Sequence, residues 1–414
     1  MSAPPGVSPG RLERLASGLE ELECSALLVL AGSARDPDMA PFAGPVHVHS
    51  CFVLGRRGQS PLFGYLTPME REEAAATGLE LLTPEALDVA RWARQGAGEE
   101  RLLAEVLSQG LLLAQVAPGT RLALAGRTTG AGIVAVVTRR LEELGWSLVP
   151  AHDLLRRLRK AKSEPELDAV RHAARGASAA LRRVAELLAA TVERDGELWL
   201  QGERLRVARL RREVASSLAT AGLEQPEGNI VAPGAQGATP HSAGRDESVL
   251  RAAETLVVDL FPRGCLFADC ARTFCAGAVP AAVEEAHRAV LDVLGRAHRA
   301  LAPGARGWDL QAAACARLGE LQVPNPVADP GTTRGYVHGL GHGVGYELHE
   351  YPSFRRHAGD EGVLEVGDVL TLEPGIYEPA AGFGVRLEDL VWLGPDGVEI
   401  LTPLPYDLDP RAWA

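Results

Sequence analysis

The chain has almost no lysine: of 42 basic residues, Lys160 and Lys162 are the only two, and the rest are arginine. Beside so much Ala, Gly and Leu, the arginine excess reads as genome composition and not as function. Basic residues are also outnumbered, 42 against 54 acidic ones, which leaves a formal charge of −12. Nucleic acid and anionic membrane both require clustered positive charge, so neither is an expected partner. No long apolar run is present; Ser25–Gly32 is too short to span a membrane and reads as a buried strand. Met1-Ser2-Ala3-Pro4-Pro5 leads into a charged helical pattern without the apolar core of a signal peptide, the pattern expected of a cytoplasmic protein. The six cysteines (Cys24, Cys51, Cys265, Cys270, Cys275 and Cys315) form no CxxC pair, and in so long a chain they read as reduced, mostly buried thiols. The five-residue repeat of Cys265, Cys270 and Cys275 reads as small hydrophobes in a hairpin rather than a metal site. Neither an internal repeat nor a low-complexity tract is visible.

What is present is globular. The 414 residues are 46% hydrophobic and 23% charged, enough apolar material for two or three domains at roughly 150 residues each. The first part alternates helix and strand. Helices are expected at Arg11–Glu23, Met69–Thr77, Leu87–Arg94 and Ile133–Leu144, and strands at Ser25–Leu30, Cys51–Leu54, Pro61–Tyr65, Leu122–Ala125 and Ser147–Val149. Such alternation predicts an α/β layer domain, residues 1–157. His47 and His49 alternate on a strand-like stretch with no carboxylate partner nearby, and read as ordinary strand residues.

The polar run Arg156–Glu166 marks the boundary to a second domain, residues 158–414. Ser163 followed by Pro165 and Glu166 reads as a helix start. Two long helices are expected, Glu166–Ala190 and Glu197–Ala221; the arginines of the second spread around it as a solvated face would. From Asn229 onward glycine, proline and histidine concentrate, and seven of the eleven histidines lie between His241 and His357.

Chemistry is concentrated in this second part. Thr255–Phe261, Pro262–Cys265 and Leu266–Phe274 read as strand, turn, strand. With the hairpin centred on Gly264, Asp259 and Asp269 fall opposite one another, their Cβ atoms about 5 Å apart. Two facing carboxylates in an apolar sheet require a cation between them, and a divalent metal supplies it. The other reading puts one Asp at an exposed turn in a different register. In His338-Gly339-Leu340-Gly341-His342-Gly343-Val344-Gly345, the alternating glycines exclude a regular helix; they let a backbone approach a ligand while side chains point at it. Val369–Glu373 is an apolar strand ending in a glutamate before Pro374-Gly375. In Val385–Leu393, Arg386 and Glu388 share a strand face and Asp389 takes the other. Charges inside apolar strands are costly unless paired or bound to metal.

Together these motifs resemble the pita-bread metallopeptidases, the family of proline dipeptidases, aminopeptidase P and methionine aminopeptidases. The resemblance covers Ser163–Pro405 and rests on four motifs in order: Asp259–Gly277, His338–Pro352, Thr371–Gly375 and Arg386–Asp389. It implies an α/β N-terminal domain followed by an α+β pita-bread catalytic domain, with the N-terminal domain resembling that of the proline-specific branch. It implies that Asp259, Asp269, His342, Glu373 and Glu388 are metal ligands, that His241 and His349 are catalytic, and that His338 lines the same pocket. A homodimer is implied as well.

Four carboxylates and two divalent ions balance in charge, and the mostly oxygen ligand set favours Mn²⁺, with Co²⁺ or Zn²⁺ as alternatives. Two such ions can hold a water of lowered pKa for attack on a carbonyl. Glu373 then suits the general base, while His241 and His349 suit the oxyanion or the leaving nitrogen. Small proline-containing peptides are the expected substrates, with Xaa-Pro dipeptides first and the longer peptides of an aminopeptidase P second; a peptide-binding pseudoenzyme is a third reading. A dipeptidase needs a cation for the substrate's free carboxylate, for which Arg355 and Arg356 are candidates, and Arg386 is placed on the substrate side as well.

Overall fold

The computed structural model describes residues 7–96, 98–126 and 130–413; Met1–Pro5, read above for targeting, lies outside them. The chain divides into two compact units between Arg159 and Lys160.

The first unit is built on β1 (Ala26–Ser33), β2 (His49–Arg56), β3 (Leu62–Tyr65), β4 (Glu80–Leu82), β5 (Arg121–Ala125) and β6 (Ser147–Pro150). They form one mixed sheet in the order β4-β3-β2-β1-β5-β6. Apolar residues on consecutive positions of β1 are explained by burial of both faces. Leu27 and Val29 pack on one side with Leu15 and Leu19 of the helix Pro9–Glu21. Leu28 and Leu30 pack on the other with Leu107 and Leu111 of the helix Glu99–Leu113. The alternating pattern thus yields the expected α/β layers.

The second unit opens with the helix Glu164–Ala189. Its start is held by Glu166, whose Oε2 accepts both the Ser163 N–H and the Ser163 hydroxyl at 2.7 Å. The expected helix Glu197–Ala221 is shorter than its pattern suggested. Residues Val192–Arg194 (β7), Glu197–Leu200 (β8) and Glu203–Arg204 (β9) form a small antiparallel sheet, and the helix covers only Val207–Thr220. The cause is turn chemistry: Asp195 and Gly196 (φ 52° and 76°), then Gln201 and Gly202 (φ 54° and 85°), adopt the paired positive φ of tight hairpin turns.

Next come β10 (Asn229–Pro233), β11 (Thr255–Leu260) and β12 (Cys270–Cys275), a three-stranded antiparallel sheet. The helices Ala281–Ala300 and Gly307–Glu320 follow. The last strands are β13 (His342–Gly343), β14 (Glu350–Ser353), β15 (Val369–Leu372), β16 (Gly375–Glu378), β17 (Phe383–Arg386), β18 (Asp389–Gly394) and β19 (Gly397–Ile400). Of these, β14-β13-β15-β18-β19 form a five-stranded sheet and β16-β17 a separate hairpin.

Two sequence expectations about this region are corrected. The β11–β12 hairpin turns at Cys265, not Gly264: Leu260 pairs with Cys270, Asp259 with Ala271, and Arg263 bridges Phe267. One residue at the apex shifts the partner by two, so Asp269 lies diagonal to Asp259 instead of opposite. The continuous strand expected over Val385–Leu393 is broken: β17 ends at Arg386 and β18 begins at Asp389 in a different sheet. Glu388 lies at that crossing, with its N–H donating to the Ala271 carbonyl at 3.0 Å. Among the described residues no helix is long and apolar enough to cross a membrane.

Candidate metal centre

The strand ends of the second unit converge on one buried point. Asp259 comes from β11, Asp269 from the residue before β12, His342 from β13, Glu373 from the residue after β15, and Glu388 from the crossing between β17 and β18. One ligand atom each of Asp269, His342 and Glu388 lie within 4.8 Å of one another. His342 Nε2 stands 3.6 Å from Asp269 Oδ2 and 3.6 Å from Glu373 Oε1. Asp259 joins through Arg386, whose Nη2 donates to its Oδ2 at 2.8 Å.

These donors fit divalent cations. Asp259 Oδ1 and Asp269 Oδ1 are buried carboxylate oxygens with no hydrogen-bond partner; buried oxygens of this kind are normally satisfied. The His342 Nδ1 faces the Gly343 carbonyl at 3.1 Å. A carbonyl only accepts, which assigns the proton to Nδ1 and leaves the Nε2 lone pair pointing at carboxylates. A lone pair aimed at two carboxylates makes sense around a cation. The electrostatics agree. Burial raises Asp269 well above the usual carboxylate range, and the charges of Asp259 and Glu373 add to it. Burial likewise raises Glu388, with Asp269 next. It pushes Glu373 up to about 8, against the pull of Arg386. Burial, then the neighbouring His349, pushes His342 down to about 3. An unscreened cluster of this kind cannot carry four charges in a dry site with one guanidinium.

The glycine segment owes its composition chiefly to packing against protein, and not to a ligand's approach as the sequence suggested. A Cβ on Gly341 would stand 2.0 Å from the Thr371 carbonyl oxygen. A Cβ on Gly343 would stand 1.9 Å from the Tyr351 carbonyl oxygen. That closeness lets the His342 N–H reach Thr371 Oγ1 at 3.2 Å, and the Glu373 N–H reach the Leu340 carbonyl at 2.7 Å. Gln311, buried on the helix Gly307–Glu320, grips the same segment: its Oε1 accepts the Leu340 N–H at 2.5 Å and the Tyr336 hydroxyl at 3.1 Å.

Histidines surround the cluster. The His349 ring lies 4.2 Å, centroid to centroid, from the His342 ring. Partial desolvation beside the cluster, and after it the neighbouring His241, lowers His349 from its usual value, although the residue stays open to solvent on its other side. His241 itself is exposed and follows Pro240, whose carbonyl accepts from Arg386 Nη1 at 3.4 Å. His338 donates from Nδ1 to the Gly339 carbonyl at 2.8 Å and accepts the Tyr377 hydroxyl at Nε2, 3.0 Å away. Burial, with the Arg386 charge behind it, pushes His338 down to about 3, so the ring is neutral.

Sequence reasoning passed over Tyr377 and Gln311. Gln311 carried a signal, being a polar residue on the apolar stripe of Leu310, Ala314, Cys315 and Leu318. Arg386, expected on the substrate side, instead directs its guanidinium at Asp259. Arg355 and Arg356 are exposed on the segment after β14, and the Arg356 guanidinium lies 5.7 Å over the Trp308 ring, away from the ligand set.

Comparison with known proteins adds to this geometry. Residues 168–395 match metallopeptidase family M24. A curated "Xaa-Pro dipeptidase" of Pyrococcus furiosus is 34% identical over 215 residues, which cover 50% of this chain and 57% of that protein. The chain thus spans a little over half the length of that relative. The solved prolidase of Pyrococcus horikoshii superposes with a TM-score of 0.70 at 21% identity, covering 96% of this chain and 99% of that one. An X-Pro aminopeptidase of Thermotoga maritima superposes with a TM-score of 0.72 at 22% identity, covering 96% and 99%. Both solved proteins share this chain's fold, an α/β unit followed by an α+β unit of the pita-bread type.

Proposed function

The chain belongs to metallopeptidase family M24, and we propose that it is a proline dipeptidase working with two divalent ions, Mn²⁺ in the first place and Co²⁺ or Zn²⁺ as alternatives. The observation that supports this reading is the grouping of Asp269, His342 and Glu388, with Glu373 3.6 Å from His342 and Asp259 held by Arg386, beside aspartate oxygens that no protein donor satisfies. The similarity to a named Xaa-Pro dipeptidase supports the substrate class.

Asp259, Asp269, His342, Glu373 and Glu388 would hold the ions, which when bound supply Lewis acidity and a nucleophile at neutral pH. Arg386 orients Asp259 and offsets part of the carboxylate charge. Glu373, whose Oε1 lies 3.6 Å from His342 Nε2 within the cluster, takes the proton of the attacking water. His349 and His241, both exposed beside the cluster, face the substrate. The nitrogen that leaves an Xaa-Pro bond has no N–H of its own in the substrate, so it must receive a proton as the bond breaks. His349 or His241 delivers that proton, and the other stabilises the oxyanion. His338, held neutral and fixed by Tyr377, lines the pocket wall. Arg355 or Arg356 receives the substrate carboxylate. The reading extends to a cytoplasmic homodimer, with all six cysteines free thiols and five of them buried.

The test is hydrolysis of Ala-Pro beside Ala-Pro-Ala by protein loaded in turn with Mn²⁺, Co²⁺ and Zn²⁺. Faster cleavage of the dipeptide is expected. Preference for the tripeptide would make the enzyme an Xaa-Pro aminopeptidase, and no cleavage of either would leave a peptide-binding protein.

A further inference from the structure

The two lysines of this arginine-rich chain are both buried in the second unit. Lys160 Nζ lies 3.0 Å from Glu365 Oε1. Lys162 is the more telling. Its Nζ donates to Glu350 Oε1 at 2.7 Å and to the Lys160 carbonyl at 2.7 Å, and both side chains of the Lys162–Glu350 pair are 0% exposed. Glu350 opens β14 and directly follows His349. Its other oxygen accepts the Glu347 N–H at 3.3 Å.

The loop that carries His349 is thereby fastened along its length. The Gly345 carbonyl accepts the Phe267 N–H at 2.8 Å, which ties it to the hairpin bearing Asp259 and Asp269. The Tyr346 hydroxyl donates to Glu166 Oε1, the carboxylate that also holds Ser163 at the helix start. Glu350 is held by Lys162. Gly345 provides the space: a Cβ there would stand 2.4 Å from Lys162 Cε and 2.5 Å from Glu350 Oε1. A compact ammonium fits that gap, whereas a planar guanidinium with its five donors requires a wider one. A chain that uses arginine almost everywhere therefore departs from its habit at a position where arginine does not fit. Buried ion pairs contribute little net stability, and their better-attested use is to specify one geometry.

We infer that Lys162 is a positioning residue for His349, acting through Glu350 to hold the imidazole against the cluster at the place where it meets substrate. This rests on the reading of His349 as a group that acts on the substrate. Lys162 touches neither metal nor peptide, so its loss leaves the ligand set in place and lets the His349 ring wander. A displacement near 1 Å costs on the order of a hundredfold in turnover.

The test uses the full chain loaded with Mn²⁺ and three variants. Lys162→Arg keeps the charge but overfills the gap. The double variant K162M/E350Q removes both charges and leaves no unpaired ion. Gly345→Ala keeps both charges and displaces them. The expected result, in each variant that folds, is wild-type metal content, a melting temperature within a few degrees of wild type, and kcat for Ala-Pro lower by roughly ten- to a hundredfold, with KM little changed. Mn²⁺ is paramagnetic and would erase signals this close to the cluster, so spectra are taken on the diamagnetic Zn²⁺-loaded protein. There the ¹³Cε1 imidazole signal of His349, assigned by its loss in His349→Ala, should move or broaden while that of His287 stays in place. A folded double variant with wild-type kcat and an unmoved His349 signal would overturn the inference. So would a fall in kcat with the His349 signal unmoved, since the loss would then arise elsewhere. Should the wild type fail to cleave Ala-Pro, the substrate reading falls, while the histidine spectrum still decides whether Lys162 positions His349.

Discussion

Two glycines of the same alternating segment should respond very differently to a single added methyl group. At Gly341 a Cβ would lie 2.0 Å from the Thr371 carbonyl oxygen, far inside the 3.4 Å at which ordinary contact begins. Thr371 cannot retreat, because β15 is paired on both sides, to β13 and to β18. The segment bearing His342 must move instead. Two hydrogen bonds are then strained or lost, His342 N–H to Thr371 Oγ1 and Glu373 N–H to the Leu340 carbonyl. At about 1 kcal/mol each, with about 1–3 kcal/mol for overpacking, Gly341→Ala should cost about 3–5 kcal/mol of stability. The His342 imidazole would leave its place between Asp269 and Glu373 by on the order of 1 Å, enough to lower kcat/KM for Ala-Pro by about a hundredfold. At Gly339, by contrast, the nearest atom to an added Cβ is the Gly341 carbonyl oxygen at 3.8 Å. Gly339→Ala should therefore stay within about a factor of two of wild type, as exposed substitutions do. Thermal melting, metal per chain by elemental analysis and steady-state kinetics on both variants decide the matter. Equal damage from the two substitutions, or a neutral Gly341→Ala, would refute the close-packing argument.

Asp269→Asn should lose at least one bound ion and nearly all turnover, read by elemental analysis beside activity; normal turnover would remove the dinuclear site. His241→Ala and His349→Ala should keep wild-type metal content and lose most of kcat, and a drop in bound metal in either would make that histidine a ligand. Arg355→Ala or Arg356→Ala should lower kcat/KM for Ala-Pro by about ten- to a hundredfold, the worth of a charge-assisted bond of about 1.5–3 kcal/mol to a carboxylate, with a smaller effect on Ala-Pro-Ala. Equal losses on both substrates, or none, would dismiss the clamp.

The family and the two-part fold class were legible because their signals are local. Charged residues inside apolar strands at Asp259, Glu373 and Glu388, and histidines among alternating glycines, stand out at any register. What escaped depends on details that one residue can change. The hairpin apex at Cys265 instead of Gly264 moves Asp269 from opposite Asp259 to its diagonal, and composition around the turn does not choose between them. The break after Arg386 sends Asp389 into another sheet, although Val385–Leu393 alternates like a single strand. At β7–β9 a legible signal was outweighed: Asp195-Gly196 marks a hairpin, but it stands between two strong helical patterns. Tyr377 and Gln311 reach the segment around His338 and Leu340 through contacts distant in sequence, which periodicity does not encode.

The burial of both lysines also makes the protein an unusual subject for amine-directed chemistry. Reagents that acylate side-chain amines ordinarily modify any folded protein across its surface. Here the two ε-amines lie inside one unit, so their acylation requires that unit to open. The rate of modification at Lys160 and Lys162, followed by mass spectrometry across a denaturant series, would report the opening free energy of the region next to the carboxylate–histidine cluster. The same property disfavours random coupling through lysine as a way to immobilise the protein, since each coupling event would capture an opened molecule.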